Sequence, residues 1–208
     1  MSTLRRLSQV VLASMFLALL IGCSGSSDSG TETGTAPTAA DVGTTNASGE
    51  VAVDPAVATT VQNLGNLGLI NTTLVTTAAT GSISQAAAQA INAAILKGFS
   101  GIYIVRWYPD PRLPEVNSEG SRMRINEDGS GSLSLVPLRP NDPVEIKADG
   151  RLTGFITLDG KIRVTGKTTT NSPMLGVGTL NSTNKSLSNG QVFVSGQSLK
   201  WRIVPGDS

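Results

Sequence analysis

The residue types that carry most protein chemistry are scarce in this chain. Its 208 residues include no histidine and only one cysteine, Cys23. Without histidine there is no His-ligated metal site, no Ser-His or Cys-His nucleophile, and no usual general base near neutral pH. We therefore expect a protein that is not an enzyme and that holds no metal or cofactor. Any catalysis would depend on carboxylates, Lys, Tyr or Ser.

Two groups of acidic residues are arranged as they are in some catalytic or metal sites. Asp149 and Asp159 would make a carboxylate pair suited to glycoside chemistry. Residues 126–130 place oxygen ligands at alternate positions, as a calcium loop does, but the glycine is misplaced and no acidic residue closes the motif. Because each of these Asp residues precedes a glycine, tight turns explain both arrangements, and we expect turns there.

Cations on alternating segments are better candidates for binding. Residues 99–208 contain 13 Lys+Arg against 10 Asp+Glu. If several of the strand cations share one face, they form a basic patch for an anionic glycan, lipopolysaccharide or a phosphate-bearing polymer. The alternative is a solvated sheet face, since alternation alone places polar residues outside. The set is Arg106, Arg122, Arg124, Lys161, Arg163, Lys200 and Arg202.

Trp107 and Tyr108 end an alternating segment just before the Pro-rich stretch 109–114. An aromatic residue exposed in such a loop could stack on a sugar or fill a pocket in a partner. The alternative is an ordinary core position, which is commoner for aromatic side chains. We include both residues in the candidate ligand or partner face.

The sequence of residues 99–208 predicts an all-antiparallel β-domain that would position these residues. Apolar and polar residues alternate in several short runs without intervening helices, and we count seven to nine strands. Such a meander closes into a small barrel or a sandwich. Asx-Gly pairs predict its turns, because they accept positive φ values. The four pairs are Asp128-Gly129, Asp149-Gly150, Asp159-Gly160 and Asn189-Gly190.

Residues 56–98 predict a helical neck before the β-domain. A partial helical period over 57–75 is interrupted by Gly65 and Gly68, whereas 84–96 is rich in Ala and has clear end signals. Ser82 or Ser84 can cap its start, and Gly98 predicts its end. Packing on the sheet is favoured over a membrane-binding helix, since Lys97 is its one cation. The expected buried face is Ile91, Ile95 and Leu96.

Residues 23–55 predict a disordered tether. They are mostly Ser, Thr, Gly and Ala, and all five charges among them are acidic. Such a segment buries too little apolar surface to offset its ordering entropy.

The N-terminus has the order of features found in an export signal. Arg5-Arg6 precede an apolar run over residues 10–21, which is shorter than the roughly 20 residues a membrane span needs. Leu20-Ile21-Gly22-Cys23, followed by Ser24, resembles a bacterial lipobox. The resemblance implies a signal peptide over 1–22, cleavage before Cys23 by signal peptidase II, and N-acyl and diacylglyceryl groups on that cysteine. The alternative is an ordinary secretory signal.

These observations together predict a cell-envelope lipoprotein, anchored in the membrane by the acyl chains on Cys23. The residue after the cysteine is Ser24, whereas lipoproteins kept in the inner membrane carry Asp there. In this respect the chain resembles lipoproteins exported to the outer membrane, although a host with a single membrane is also compatible with the signal. The mature chain has 14 Lys+Arg against 15 Asp+Glu, a balance that does not indicate a nucleic-acid partner. The β-domain is then a non-enzymatic module with a structural role, or one that binds an envelope polymer or a partner protein. A lipocalin-like carrier with an apolar cavity is the alternative.

Overall fold

The computed structural model describes residues 36–108, 121–135, 148–152, 155–168, 170–194 and 197–206. The export signal, the lipobox and Cys23 lie outside these residues. In the described part, the chain forms a small sheet and three helices, followed by an antiparallel β-barrel. None of the described helices has the length and apolar character needed to cross a membrane.

Part of the predicted tether is ordered, so that prediction is wrong for residues 39–53. A 3₁₀ helix, Ala39–Val42, leads into strands β1 (Gly43–Thr45) and β2 (Val51–Val53). Strand β3 (Ser82–Ile83) completes an antiparallel sheet in the order β1-β2-β3. Val42 and Val51 are fully buried in the common core. The polar composition of this segment did not predict its order, because the residues that bury Val42 and Val51 come from helices later in the chain.

Three helices follow, and each begins at a side-chain cap. They are α1 (Pro55–Asn66), α2 (Thr72–Ala79) and α3 (Gln85–Phe99). Asp54, Asn71 and Ser84 accept hydrogen bonds from the backbone N–H of Ala56, Leu74 and Ala87 at 2.7, 2.9 and 3.2 Å. Each cap satisfies one of the N–H groups that have no partner within the helix.

The predicted cap and buried face of α3 are confirmed, but its predicted end is wrong. Ser84 is the cap, and Ile91, Ile95 and Leu96 are buried. The helix continues through Gly98 to Phe99. A Cβ at Gly98 would lie 2.9 Å from Cδ1 of Leu64 on α1. Gly98 therefore lies where two helices approach closely and does not end one.

The mainly β fold is confirmed, and the sheet is a closed barrel rather than a sandwich. Eight strands follow one another around it, and β11 pairs with β4 to close it, with Trp201 opposite Trp107. Every neighbouring pair is antiparallel, so the barrel is a simple meander. The strands are β4 (Gly101–Tyr108), β5 (Arg122–Ile125), β6 (Gly131–Leu135), β7 (Ala148–Leu152), β8 (Lys161–Thr168), β9 (Pro173–Thr179), β10 (Leu187–Val194) and β11 (Gln197–Pro205).

Trp201 fills the barrel interior beside two glycines. Its indole is fully buried, and Nε1 donates to the backbone oxygen of Val177 at 3.0 Å. A Cβ at Gly190 would lie 1.7 Å from that nitrogen, and a Cβ at Gly176 would lie 3.0 Å from Cη2. The two glycines of the barrel wall therefore make the space that the indole occupies.

Two of the four predicted Asx-Gly turns are confirmed. Gly129 and Gly160 have φ values of 83° and 84°, and each donates its N–H back across a turn, to Asn126 and Thr157 respectively. Only glycine adopts this region at little cost.

The other two predicted turns are wrong, because both pairs lie inside strands. Asp149-Gly150 is in β7, where Gly150 faces Gly166 of β8. Asn189-Gly190 is in β10, where the register shifts and Gly190 accommodates Trp201. The β9–β10 connection lies over residues 180–186 instead, and Asn181 and Ser186 form a bridge within it.

Candidate functional site

Five of the seven predicted strand cations lie on adjacent strands β11, β4 and β5. Arg202 is directly opposite Arg106, Lys200 is opposite Tyr108, and Arg122 and Arg124 are opposite Ile104 and Ile102. They alternate with buried residues such as Val105, Met123 and Trp201, so they face outward. We call this set, Arg106, Arg122, Arg124, Lys200 and Arg202, the basic face.

Lys161 and Arg163 do not belong to the basic face. Both are on β8, which is four strands from β4 in either direction around the closed barrel. Lys161 Nζ is 2.7 Å from Asp159 Oδ2, which raises the pKa of this lysine. The cations are therefore divided between two opposite walls.

The cations of the basic face differ in exposure and in local partners. Arg106 is half-buried, whereas the other four are exposed. Arg122 donates from Nη1 to the oxygen of Ser121 at 3.1 Å. Arg106 and Arg202 are engaged within the chain. The positive charge most open to a ligand is therefore that of Arg122, Arg124 and Lys200.

Trp107 and Tyr108 are the last two residues of β4. Their side chains and the loop residues 109–112 lie outside the described part. The register places Trp107 opposite Trp201 and Tyr108 opposite Lys200. Tyr108 thus occupies the strand position next to one edge of the basic face.

The structure does not bring Asp149 and Asp159 together. Asp149 is opposite Lys167 at one end of β8, whereas Asp159 precedes Lys161 at the other end. Six residues of strand separate these positions by roughly 20 Å, too far for a carboxylate pair. Burial raises the pKa of Asp159, but hydrogen bonds from Lys161 and Thr157 outweigh it, so the net pKa is lowered.

Residues 126–130 form a turn whose polar atoms bond one another. Asp128 Oδ1 accepts from the N–H and the hydroxyl of Ser130 at 2.9 and 2.6 Å, and these bonds lower its pKa. Glu127 lies 3.9 Å from Lys97 Nζ. Within the described ranges, no group of three or more acidic, His or Cys residues is placed to hold a metal ion.

A cleft of about 670 Å³ lies beside Arg202, and the sequence reasoning missed it. Asn181, Asn184 and Ser186 of the β9–β10 turn line one side, and the rest of the wall is formed by Gly178, Thr179, Leu187 and Arg202. The available signal was the polar run over residues 181–186, which contains two Asn, two Ser and one Thr.

Comparison with known proteins identifies no relative. No protein-family model, curated protein or solved structure matches this chain.

Proposed function

We propose that this chain is a cell-envelope lipoprotein whose barrel binds an anionic envelope polymer through the basic face, without catalysing a reaction. The acyl chains on Cys23 would anchor it in the outer membrane. The observation that carries the binding proposal is the grouping of five cations on three adjacent strands.

The spacing of these cations favours a polymer over a single small anion. Adjacent strands are about 4.8 Å apart, and alternate residues on one strand are roughly 6.6 Å apart. A single exposed ion pair contributes about 0–1 kcal/mol and is screened beyond roughly 8 Å in physiological salt. Several pairs formed by one chain of repeating anions add to a useful affinity, which would fall as the salt concentration rises.

The interior of the barrel supports binding on the outside rather than a lipocalin-like carrier. Trp201 occupies the interior over Gly176 and Gly190, and Tyr103 and Met123 are fully buried on neighbouring strands. A carrier of this type needs an apolar cavity of a few hundred Å³. The wide indole of Trp201 across the interior reduces the space available for such a cavity.

Two matched pairs of substitutions test the basic face. Arg122 and Arg124 flank Met123 on β5, and Lys161 and Arg163 flank Ile162 on β8, with both apolar residues buried. The double variants Arg122→Gln/Arg124→Gln and Lys161→Gln/Arg163→Gln each remove two positive charges from one exposed strand. The first should weaken binding of the full chain to lipopolysaccharide by about tenfold at low salt. The Lys161→Gln/Arg163→Gln variant should change the affinity for lipopolysaccharide less than twofold.

The affinity of wild type and of each variant would be measured as binding to surface-immobilised lipopolysaccharide at several salt concentrations. Equal losses in the two variants would mean that only net charge matters. No loss in the β5 variant would refute the assigned face.

The anchor is tested separately with Cys23→Ala. Wild type should sediment with membranes and carry an acylated N-terminal cysteine by mass spectrometry, whereas the variant should be soluble or unprocessed. Identical processing and solubility of both chains would contradict the lipobox interpretation.

A further inference from the structure

We propose that the cleft between the β9–β10 turn and β11 binds one acidic sugar residue, a hydroxylated carboxylate, of the polymer held on the basic face. This inference deepens the proposed function and rests on it. Arg202 belongs both to the basic face and to the wall of the cleft. A polymer on the face would therefore pass the mouth of the cleft.

The polar wall of the cleft is built from two turns within residues 181–186. Asn181 Oδ1 accepts from the N–H and the hydroxyl of Thr183 at 2.8 and 2.7 Å. Asn184 Oδ1 accepts from the same two groups of Ser186 at 3.0 and 2.7 Å. A backbone N–H can only donate, so the atom facing it must be the amide oxygen. The orientation of both amide groups is thereby determined.

These bonds leave a specific set of groups for a ligand. No described residue accepts from Nδ2 of Asn181 or Asn184, so these two side chains offer N–H donors. Arg202, which also has a partner within the chain, adds a positive charge to the wall of the cleft. The hydroxyl proton of Ser186 is used by Asn184, which leaves its oxygen as an acceptor. Donors with a positive charge fit a carboxylate, and an acceptor beside them fits a sugar hydroxyl.

The turn is also held in place before any ligand arrives. Lys185 Nζ donates to the oxygen of Ser100 at 2.9 Å and lies 5.6 Å from the ring centroid of Tyr103. Asn63 of α1 donates from Nδ2 to the hydroxyl of Ser182 at 2.9 Å. A wall fixed from two sides loses little conformational entropy on binding. The volume of about 670 Å³ lies within the range of ligand sites.

The test is a titration of the full chain with glucuronate, monitored by NMR. Glucose and inorganic phosphate are the comparison ligands. Asn184→Asp keeps an oxygen for the two bonds from Ser186 but replaces the N–H donor with negative charge. It should weaken glucuronate binding at least tenfold. Wild type should bind glucose and phosphate at least tenfold more weakly than glucuronate.

Asn46→Asp is the matched control. Asn46 Oδ1 accepts from the N–H and hydroxyl of Ser48 at 3.0 and 2.6 Å, as Asn184 does from Ser186, and also from the N–H of Glu50 at 3.0 Å. This turn does not line the cleft. The affinity of the Asn46→Asp variant for glucuronate should stay within twofold of that of wild type. An equal loss in both variants, or no binding of glucuronate, would overturn the inference.

Two further outcomes separate this inference from the proposed function. Phosphate binding as tight as glucuronate binding would indicate a simple anion site and overturn the sugar-acid assignment. Lipopolysaccharide binding that depends on Arg122 and Arg124, with no glucuronate binding, would refute the cleft and leave the basic face standing. Glucuronate binding that depends on Asn184, with no effect of the β5 variant on lipopolysaccharide, would refute the basic face instead.

Discussion

The packing of Trp201 against Gly190 gives a sharp test of the barrel interior. A methyl group at residue 190 would lie 1.7 Å from Nε1, 2.1 Å from Cδ1 of Trp201 and 2.5 Å from Cδ2 of Leu187. No rotation of a flexible side-chain end relieves such a contact, because the indole is rigid and fully buried. In Gly190→Ala, the indole or the strand must therefore move.

The cost has two parts. Overpacking in a filled interior costs about 1–3 kcal/mol. Moving the indole also breaks the 3.0 Å bond from Nε1 to Val177, and a buried donor left without a partner costs about 1–3 kcal/mol. We expect Gly190→Ala to lower the free energy of unfolding by about 3 kcal/mol. Gly176→Ala, whose methyl group would lie 3.0 Å from the indole, should cost about 1 kcal/mol.

The assay is urea unfolding followed by tryptophan fluorescence and circular dichroism. Gln191→Ala is the control, since Gln191 is exposed on the same strand. In a Trp201→Leu background, which removes most of the collision, Gly190→Ala should cost much less, and the double-mutant cycle measures this coupling. A free energy of unfolding for Gly190→Ala within about 0.5 kcal/mol of wild type would refute this packing of Trp201 against Gly190.

Two further predictions concern α3 and the strand that follows it. Ser84→Ala should lower the free energy of unfolding by about 1 kcal/mol, because it removes the cap on Ala87. Urea unfolding of this variant beside Gln89→Ala, at an exposed position of the same helix, shows whether the loss is specific. The buried Tyr103 hydroxyl donates to the oxygen of Phe99, and burial raises the pKa of Tyr103 well above its ordinary value. Above about pH 10 the tyrosine ionises in the unfolded chain but not in the folded one, so stability should fall as pH rises beyond that value. Unfolding at pH 9 and 11 should show a smaller fall in Tyr103→Phe than in wild type, and equal falls would contradict the buried hydroxyl.

The alternation of single strands was enough to predict the β-domain and which side chains face outward. Arg122, Met123, Arg124 and Ile125 show the reason, because the pleat sends successive side chains to opposite sides whatever the rest of the chain does. The cap at Ser84 was also predictable, since it depends only on the four consecutive residues from Ser84 to Ala87. The acyl anchor on Cys23 and the function of the barrel remain predictions.

Features that depend on distant residues were not accessible in this way. Asn189-Gly190 has the local sequence of a turn, yet Gly190 lies in a strand, where the absence of a side chain leaves space for Trp201 of the next strand. Val42 and Val51 lie in a polar stretch, and only the later helices bury them.

The sequence by itself determined the charge of the strands, the alternation that turns their cations outward, and the absence of histidine. Only the tertiary structure decided that the sheet closes into a barrel, which groups five cations on β11, β4 and β5 and sends Lys161 and Arg163 to the opposite wall. Neighbours across a sheet depend on strand order and register, and these join residues as far apart in sequence as Trp107 and Trp201, which are opposite each other on β4 and β11.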